Sequence, residues 1–461
     1  MALAMLACVR LTFDRGTLLL EEPPADLDVG ALPEVQWDAR VGKYRAPGRV
    51  VYPIASELRR RGVSISDMPR PAMCPPSGFR LVDELRPYQE AALSAWRFAG
   101  RRGVVALPTG GGKTAVALAA IAATRAPCLC LVPTRALLVQ WVGVLAACYD
   151  GPIGRFGDGE RVLASITVAT FASAFRHMSA IGDRFGLLVV DEAHHFGHGR
   201  FDEALEMAIA PLRLGLTGTP PSPGPAAERL GALVGPVVFE RSVRDLGPYL
   251  APLERITWRL ALESEERREY DALRVVYRRA WNAYLGNHLG ASWEDFLRHA
   301  SQTDDGRRGI AAWRRARKLL AFPRRKREAL SLLLARHRGS KTLVFVADND
   351  TAYAVARSEL VTPLTCDIGR RERDDVLARF RAGSLRTLVS AQVLNEGLDV
   401  PDAEVGIVVA GRLGEREHAQ RVGRLLRPGE GKRALVYELV VGFSSEVRDA
   451  ERRWERFAPT G

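Results

Sequence analysis

Residues 106–114 read ALPTGGGKT, and no other stretch of the chain limits the fold as tightly. An apolar run precedes them and an Ala-rich helical stretch follows, so they form the turn between a buried strand and a helix. Gly110, Gly111 and Gly112 let backbone N–H groups curl around an anion at the positive end of that helix. A turn of this kind belongs to an open α/β sheet. The flanking sequence agrees, with short apolar runs at 104–107, 129–132, 166–169, 187–190 and 214–217. A second set follows at 343–346, 387–389, 405–409 and 435–439. Near-continuous apolar runs are strands covered on both faces, as in a parallel sheet between helices. The expected fold class is therefore α/β, with two parallel-sheet lobes in tandem.

The 461 residues suit about three domains. Residues 1–80 form a small α+β module, opening with a hairpin of strands 9–13 and 17–21 around Asp14-Arg15-Gly16. The proline-rich stretch PRPAMCPP at 69–76 reads as a linker, which makes the module a separate one. The first lobe then spans 81–246 and the second 247–461, with Gly247-Pro248 and Ala251-Pro252 as the hinge. Within the second lobe, about 263–330 turns helical and basic.

Chemistry-bearing residues cluster after the strands. Thr109 and the three glycines line the phosphate loop, Lys113 reaches for the β- and γ-phosphates, and Thr114 is placed to ligate magnesium. Asp191 and Glu192 end a buried strand; the first suits a magnesium ion held through water, the second the attacking water. Thr217-Gly218-Thr219 closes the next strand and is placed, with His194, to couple a nucleotide to a bound strand. Thr134, Arg135 and Thr170 follow other strands, at the sheet edge where open α/β folds bind ligands, and are candidates for nucleic-acid contact. In the second lobe Gly397 permits a tight turn near phosphate and Asp399 suits a ribose. The segment QRVGRLLR at 420–427 puts Gln420, Arg424 and Arg427 on one helical face. A remote arginine set of this form fits a second lobe that closes on a nucleotide held by the first.

The formal net charge is +12, an excess that attracts polyanions. Between 307 and 327 there are ten Arg or Lys and no Asp or Glu, and Trp281, Trp293 and Trp313 lie in the same region. Cations with interspersed aromatics suit a nucleic-acid groove, with Arg314, Arg315 and Lys318 as phosphate contacts. The alternative is a solvated face over core tryptophans. The missing acids favour phosphate contact, because a merely soluble helix mixes signs. The six Cys include no C-x-x-C pair, which points to reduced thiols and no zinc module. The apolar start MALAMLACVRLTF lacks a basic leader region, so a cytoplasmic protein without signal peptide is expected.

In this order the motifs resemble superfamily 2 helicases, and more closely the XPB branch. ELRPYQEAAL (84–93), LPTGGGKT, LLVVDEAHHF (187–196), APLRLGLTGT (210–219), VSAQVLNEGLDVPDAEVGI (389–407) and QRVGRLLRPGEGK (420–432) are similar to archaeal and bacterial XPB homologues. The resemblance covers nearly the whole chain. FDRGTLLL (13–20) is similar to the start of that family's damage-recognition module. The resemblance implies two RecA-like lobes with a thumb-like insertion, ATP and Mg2+ as cofactors, DNA as partner, and 3′→5′ movement on it in repair or processing. It implies adenine contact by Arg86 and Gln89, and arginine-finger roles for Arg424 and Arg427. Fingers of this class contribute roughly 10³–10⁵-fold in rate. One departure stands out. Where the family carries an Arg-Glu-Asp triplet linked to strand opening, this chain has Ser222-Pro223-Gly224, stiffened by proline. That motivates a rival of another class, a nucleotide-gated DNA clamp that recruits a companion nuclease without unwinding. An RNA helicase and a restriction-motor subunit are further alternatives.

Overall fold

The computed structural model describes residues 8–74, 76–249, 251–391, 403–410 and 433–454. They divide into two compact units, the first ending at Asp245 and the second beginning at Leu246.

The first unit opens with β1 (Cys8–Asp14), β2 (Thr17–Glu21), β3 (Gln36–Asp38), β4 (Lys43–Pro47), α1 (Val51–Arg60) and β5 (Ser64–Asp67), in sheet order β3-β4-β2-β1-β5. Arg15 and Gly16 turn the first hairpin with φ of 50° and 91°, the positive values that a two-residue hairpin turn demands. Helix α1 buries Val51, Ile54, Ala55 and Leu58, the i, i+3, i+4, i+7 stripe of an amphipathic helix. These close on Val9, Leu11, Leu18 and Leu20 in one core.

That core also takes Ile209 from the lobe that follows, so the module is docked rather than separate. Gly16 has no room for a side chain because Met207 Sδ would lie 2.8 Å from its Cβ, and a Cβ on Gly48 or Gly182 would strike the Met207 carbonyl oxygen at 2.5 Å. The proline-rich stretch is likewise a docked strap. Ala72 and Met73 donate backbone hydrogen bonds to the carbonyls of Asp183 and Arg184, each 3.1 Å. Prolines cannot donate, and the two residues between them supply the pair.

The first lobe follows with α2 (Pro87–Phe98), β6 (Arg102–Ala106), α3 (Lys113–Thr124), β7 (Cys128–Val132), α4 (Arg135–Cys148), β8 (Ile153–Gly157), β9 (Glu160–Val162) and β10 (Ile166–Thr170). It ends with α5 (Phe171–Ile181), β11 (Leu187–Val190), α6 (Asp202–Glu206), β12 (Leu212–Thr217), α7 (Pro225–Leu233) and β13 (Val237–Glu240). The sheet order is β13-β6-β12-β11-β7-β10-β8-β9, parallel except for β9. Every residue of β7, β10 and β11 is buried, as continuous apolar strands between helix layers require. Each fully buried Val, Leu or Ile contributes about 1.5–3 kcal/mol relative to exposure. Cys128 and Cys130 alternate onto one face, with sulfurs 3.7 Å apart.

The second unit holds β14 (Leu253–Leu260), α8 (Ser264–Asn287), α9 (Trp293–His299), α10 (Asp304–Ala321), α11 (Arg324–Arg336), β15 (Thr342–Phe345), α12 (Asn349–Glu359) and β16 (Thr362–Leu364). After α13 (Arg370–Arg381) come β17 (Thr387–Ser390), β18 (Val405–Val408), β19 (Ala434–Val441) and α14 (Ser445–Trp454). Its sheet is parallel throughout, in order β14-β19-β18-β15-β17-β16. The helices α8 to α10 form the basic insertion. Inside it Trp281 and Trp293 meet at 5.1 Å and Trp293 and Trp313 at 5.7 Å, around buried Phe296 and Ala280. The tryptophans therefore pack the insertion, and the groove expected from cations interleaved with aromatics reduces to its cations. No helix among the described residues is long and apolar enough to cross a membrane.

Candidate active site

The phosphate loop leaves β6, and the strands beside it in the sheet carry the other groups. Gly110 and Gly112 have φ of 87° and 71°, the left-handed values glycine takes at no steric cost. A Cβ on Gly112 would overlap Gln89 Nε2. Lys113 starts α3 and folds its Nζ onto the Leu107 carbonyl, 3.1 Å away; Thr114 follows it in the first turn.

Gln89 clamps this loop from α2. Its Oε1 accepts from Arg86 N at 2.9 Å, while its Nε2 donates to the carbonyls of Gly111 and Gly112 at 3.3 and 3.4 Å. Tyr88 donates its hydroxyl to Gly111 O at 3.0 Å. Sequence reasoning picked Arg86 and Gln89 and missed Tyr88, although it lies between them.

Asp191 follows β11 and is buried. Trp141 Nε1 donates to its Oδ2 and Glu192 N to its Oδ1, both at 2.9 Å. Burial is the largest influence and pushes its carboxyl up; the Trp141 bond, the Lys113 charge and the Glu192 amide oppose this. A buried carboxylate with two neutral hydrogen-bond donors, whose burial outweighs the Lys113 charge, suits a divalent metal ion, so Asp191 and the Thr114 hydroxyl fit magnesium. Trp141 was not legible as part of the site, because it reaches Asp191 from α4, fifty residues away in sequence.

Glu192 adopts a left-handed backbone, φ 50° and ψ 49°, which costs a non-glycine residue about 1–3 kcal/mol. Its carboxylate lies 3.4 Å from His194 Nδ1. The same nitrogen is 3.1 Å from Thr217 Oγ1. Thr217 donates to Thr219 O at 3.0 Å and accepts from Thr219 N at 3.1 Å, so its single proton is spent. His194 must then donate from Nδ1 to Thr217. A Cβ on Gly218 would sit 3.6 Å from Lys113 Nζ and 3.8 Å from Thr109 Oγ1, which sets the Thr-Gly-Thr turn against the loop.

The remaining candidates have mixed positions. Thr134 and Thr170 cap α4 and α5, accepting from Leu137 N and Ser173 N at 3.3 and 3.2 Å. Thr170 is also buried. Arg135 is exposed and pairs with Asp158 at 2.7 Å. Arg314, Arg315 and Lys318 stand on the outer face of α10. Arg315 meets Glu269 and Lys318 meets Asp350, at 2.7 and 3.3 Å, both exposed pairs of little strength. Arg314 and Lys318 line a cleft of about 660 Å³ between α10 and the carboxyl ends of β15, β18 and β19. Ser222 and Pro223 are exposed, and Gly224, at φ 146°, leads into α7. Gly397, Asp399, Gln420, Arg424 and Arg427 lie outside the described residues.

Three family models match the chain: the type III restriction enzyme res subunit over 83–222, the helicase conserved C-terminal domain over 325–429, and the xeroderma pigmentosum group B helicase damage recognition domain over 11–68. The chain is 34% identical to the DNA 3'-5' translocase XPB2 of Sulfurisphaera tokodaii, across 81% of this chain and 85% of that protein. It is 28% identical to the DNA 3'-5' helicase XPB of Mycobacterium tuberculosis, across 82% of this chain and 64% of that one. Among solved structures the Pyrococcus furiosus Hef helicase domain shares its fold, with TM-score 0.54 and 20% identity over 81% of this chain and 98% of that one. With a relative this similar over so much of both sequences, the chain belongs to the XPB family of superfamily 2 helicases.

Proposed function

We propose that this protein is a DNA-dependent ATPase that moves 3′→5′ along DNA, acting in repair or DNA processing. The observation that carries this reading is the continuous contact Glu192–His194–Thr217–Thr219 beside the phosphate loop. A group that handles water at the nucleotide is thereby tied to the end of the adjacent strand, where bound nucleic acid can bear on it. Magnesium, when bound, supplies charge neutralisation at the phosphates. Lys113 and Thr109 line the loop that receives them, Asp191 and Thr114 would hold the ion, and Glu192 orients and takes a proton from water. Arg86, Tyr88 and Gln89 brace the adenine side of the loop. We assign Gly397 and Asp399 to the nucleotide, and Gln420, Arg424 and Arg427 to its closure from the second lobe.

Arg135, Arg314, Arg315 and Lys318 serve as phosphate contacts, so binding is largely independent of sequence and weakens with salt. We propose a companion nuclease as a partner on the same DNA and the cytoplasm as the compartment. The charge-free Ser222-Pro223-Gly224 stretch leads us to expect translocation to exceed duplex opening.

The test is ATP hydrolysis with single-stranded, duplex and forked DNA and with RNA, beside triplex and strand displacement. DNA stimulation with triplex displacement is the expected result; stimulation by RNA alone sinks the reading. Glu192→Gln should lower turnover about 10²–10⁴-fold with ATP binding kept.

A further inference from the structure

Glu192 holds a left-handed backbone without being glycine, and such a conformation persists only where the chain on both sides leaves no alternative. On the near side the constraint is plain: Asp191 N donates to Leu131 O and Glu192 N to Asp191 Oδ1, each at 2.9 Å. On the far side the chain makes one short turn, Ala193–His195, and buries Phe196 against Phe171, ring centres 4.8 Å apart. It then passes Gly197 and Gly199, with φ of 92° and 89°. Two glycines so close together leave a loop slack, because glycine has the most backbone freedom to lose.

Asp202 takes up that slack. It is buried, and the nucleotide chemistry above does not use it. Its Oδ1 accepts from Gly197 N at 2.9 Å and its Oδ2 from Gly199 N at 3.1 Å. The same Oδ2 lies 3.5 Å from Arg229 Nε on α7, and Arg229 also pairs with Glu206. Gly197 is seated on that helix as well, since a Cβ there would overlap the Ala226 carbonyl oxygen. Capping α6 does not account for these bonds. A cap accepts from amides inside its helix, and both amides here precede it. One carboxylate thus ties the far end of the Glu192 turn to α6 and α7.

We propose that Asp202 is a positioning residue for ATP hydrolysis, holding Glu192 in its left-handed backbone through the amides of Gly197 and Gly199. The proposal rests on the water-handling role assigned to Glu192. Asp202 takes no part in the chemistry itself and acts through Glu192.

The experiment is a double-mutant cycle on the full chain: parent, Asp202→Asn, Glu192→Gln and the pair. Each is measured in single-turnover ATP hydrolysis at saturating DNA, with ATP affinity, DNA affinity and melting temperature alongside. Asparagine keeps the shape of the side chain but sets an amide NH2 where one glycine N–H needs an acceptor. Asp202→Asn should hydrolyse ATP about tenfold more slowly, with both affinities within about twofold of the parent. In the Glu192→Gln background the same substitution should cost less than about twofold, because the group it positions is gone. An unchanged rate in Asp202→Asn overturns the proposal. So does a loss that persists undiminished in the Glu192→Gln background, the pattern of a merely structural aspartate. Should Asp202→Asn fail to fold, Arg229→Met carries the test, since it frees the carboxylate from α7. There the rate should fall about threefold with Glu192 present and stay level without it; no fall, or an equal fall in both backgrounds, overturns the proposal. Full turnover by Glu192→Gln alone would instead refute the role assigned to Glu192.

Discussion

Asp191 follows a strand of the first unit and Glu438 lies within a strand of the second, and both carboxylates are buried. Their surroundings differ. Glu438 receives Arg453 on Oε1 at 2.7 Å, and Arg255 and Trp454 Nε1 on Oε2 at 3.0 and 2.7 Å. Arg255 also stacks over the Trp454 ring at 4.7 Å. Asp191 receives an indole and a backbone amide, both neutral. Glu438 is charge-balanced by the protein itself and holds α14 to the sheet. Asp191, with neutral hydrogen-bond donors and the Lys113 charge outweighed by burial, sits in a dry place of the kind a metal-assisted site requires and a purely structural one avoids.

Substitutions that neutralise each carboxylate should therefore part company. Glu438→Gln leaves two arginines facing a neutral amide and should cost about 3–5 kcal/mol in urea unfolding, with KM for ATP unchanged in whatever remains folded. A variant as stable as the parent would erase the contrast. Asp191→Asn should do the reverse: about 10- to 100-fold less magnesium-dependent hydrolysis, with stability equal to or above that of the parent. A large stability loss there would make Asp191 a second structural carboxylate.

Trp141→Phe sharpens the same point on a smaller scale. It removes the indole donor, a hydrogen bond to a charged group that contributes about 1.5–3 kcal/mol, and should weaken magnesium activation before it affects DNA binding. The smallest effect is in pH. Burial raises the Asp191 pKa above its ordinary 3.8, so the folded state binds that proton more readily than the unfolded state. The group's penalty on stability is then present at neutral pH and fades as pH falls through the raised value toward 3.8. Melting curves of parent and Asp191→Asn should converge on acidification, and a gap that widens would reverse the assigned sign.

Much of the first unit was legible because its central strands are apolar along their whole length. Runs such as 187–190 and 166–169 coincide with β11 and β10 almost residue for residue. Edge strands escaped. Residues of β13 are exposed or half-buried, β14 is half-exposed with charges at Glu254, Arg255 and Arg259, and β16 contains Pro363, so none carries a strong period. At the site, glycines and charged residues announced themselves by spacing within a loop. Trp141 did not, since an indole on an apolar helix looks like core until the fold brings a carboxylate to it. The three tryptophans of the insertion erred the other way: they lie in a stretch of sequence rich in cations, but their neighbours in space are one another.

The socket formed by Gly16, Gly48 and Gly182 around Met207 has a practical side. A motor prepared from residue 81 onward keeps its full catalytic loop set but uncovers Ile209 and the Met207 side chain. Bare apolar surface of that kind invites self-association. A shortened enzyme that clumps would say little about DNA recognition by the missing residues, whereas polar replacements at Met207 and Ile209 would let the two effects be told apart.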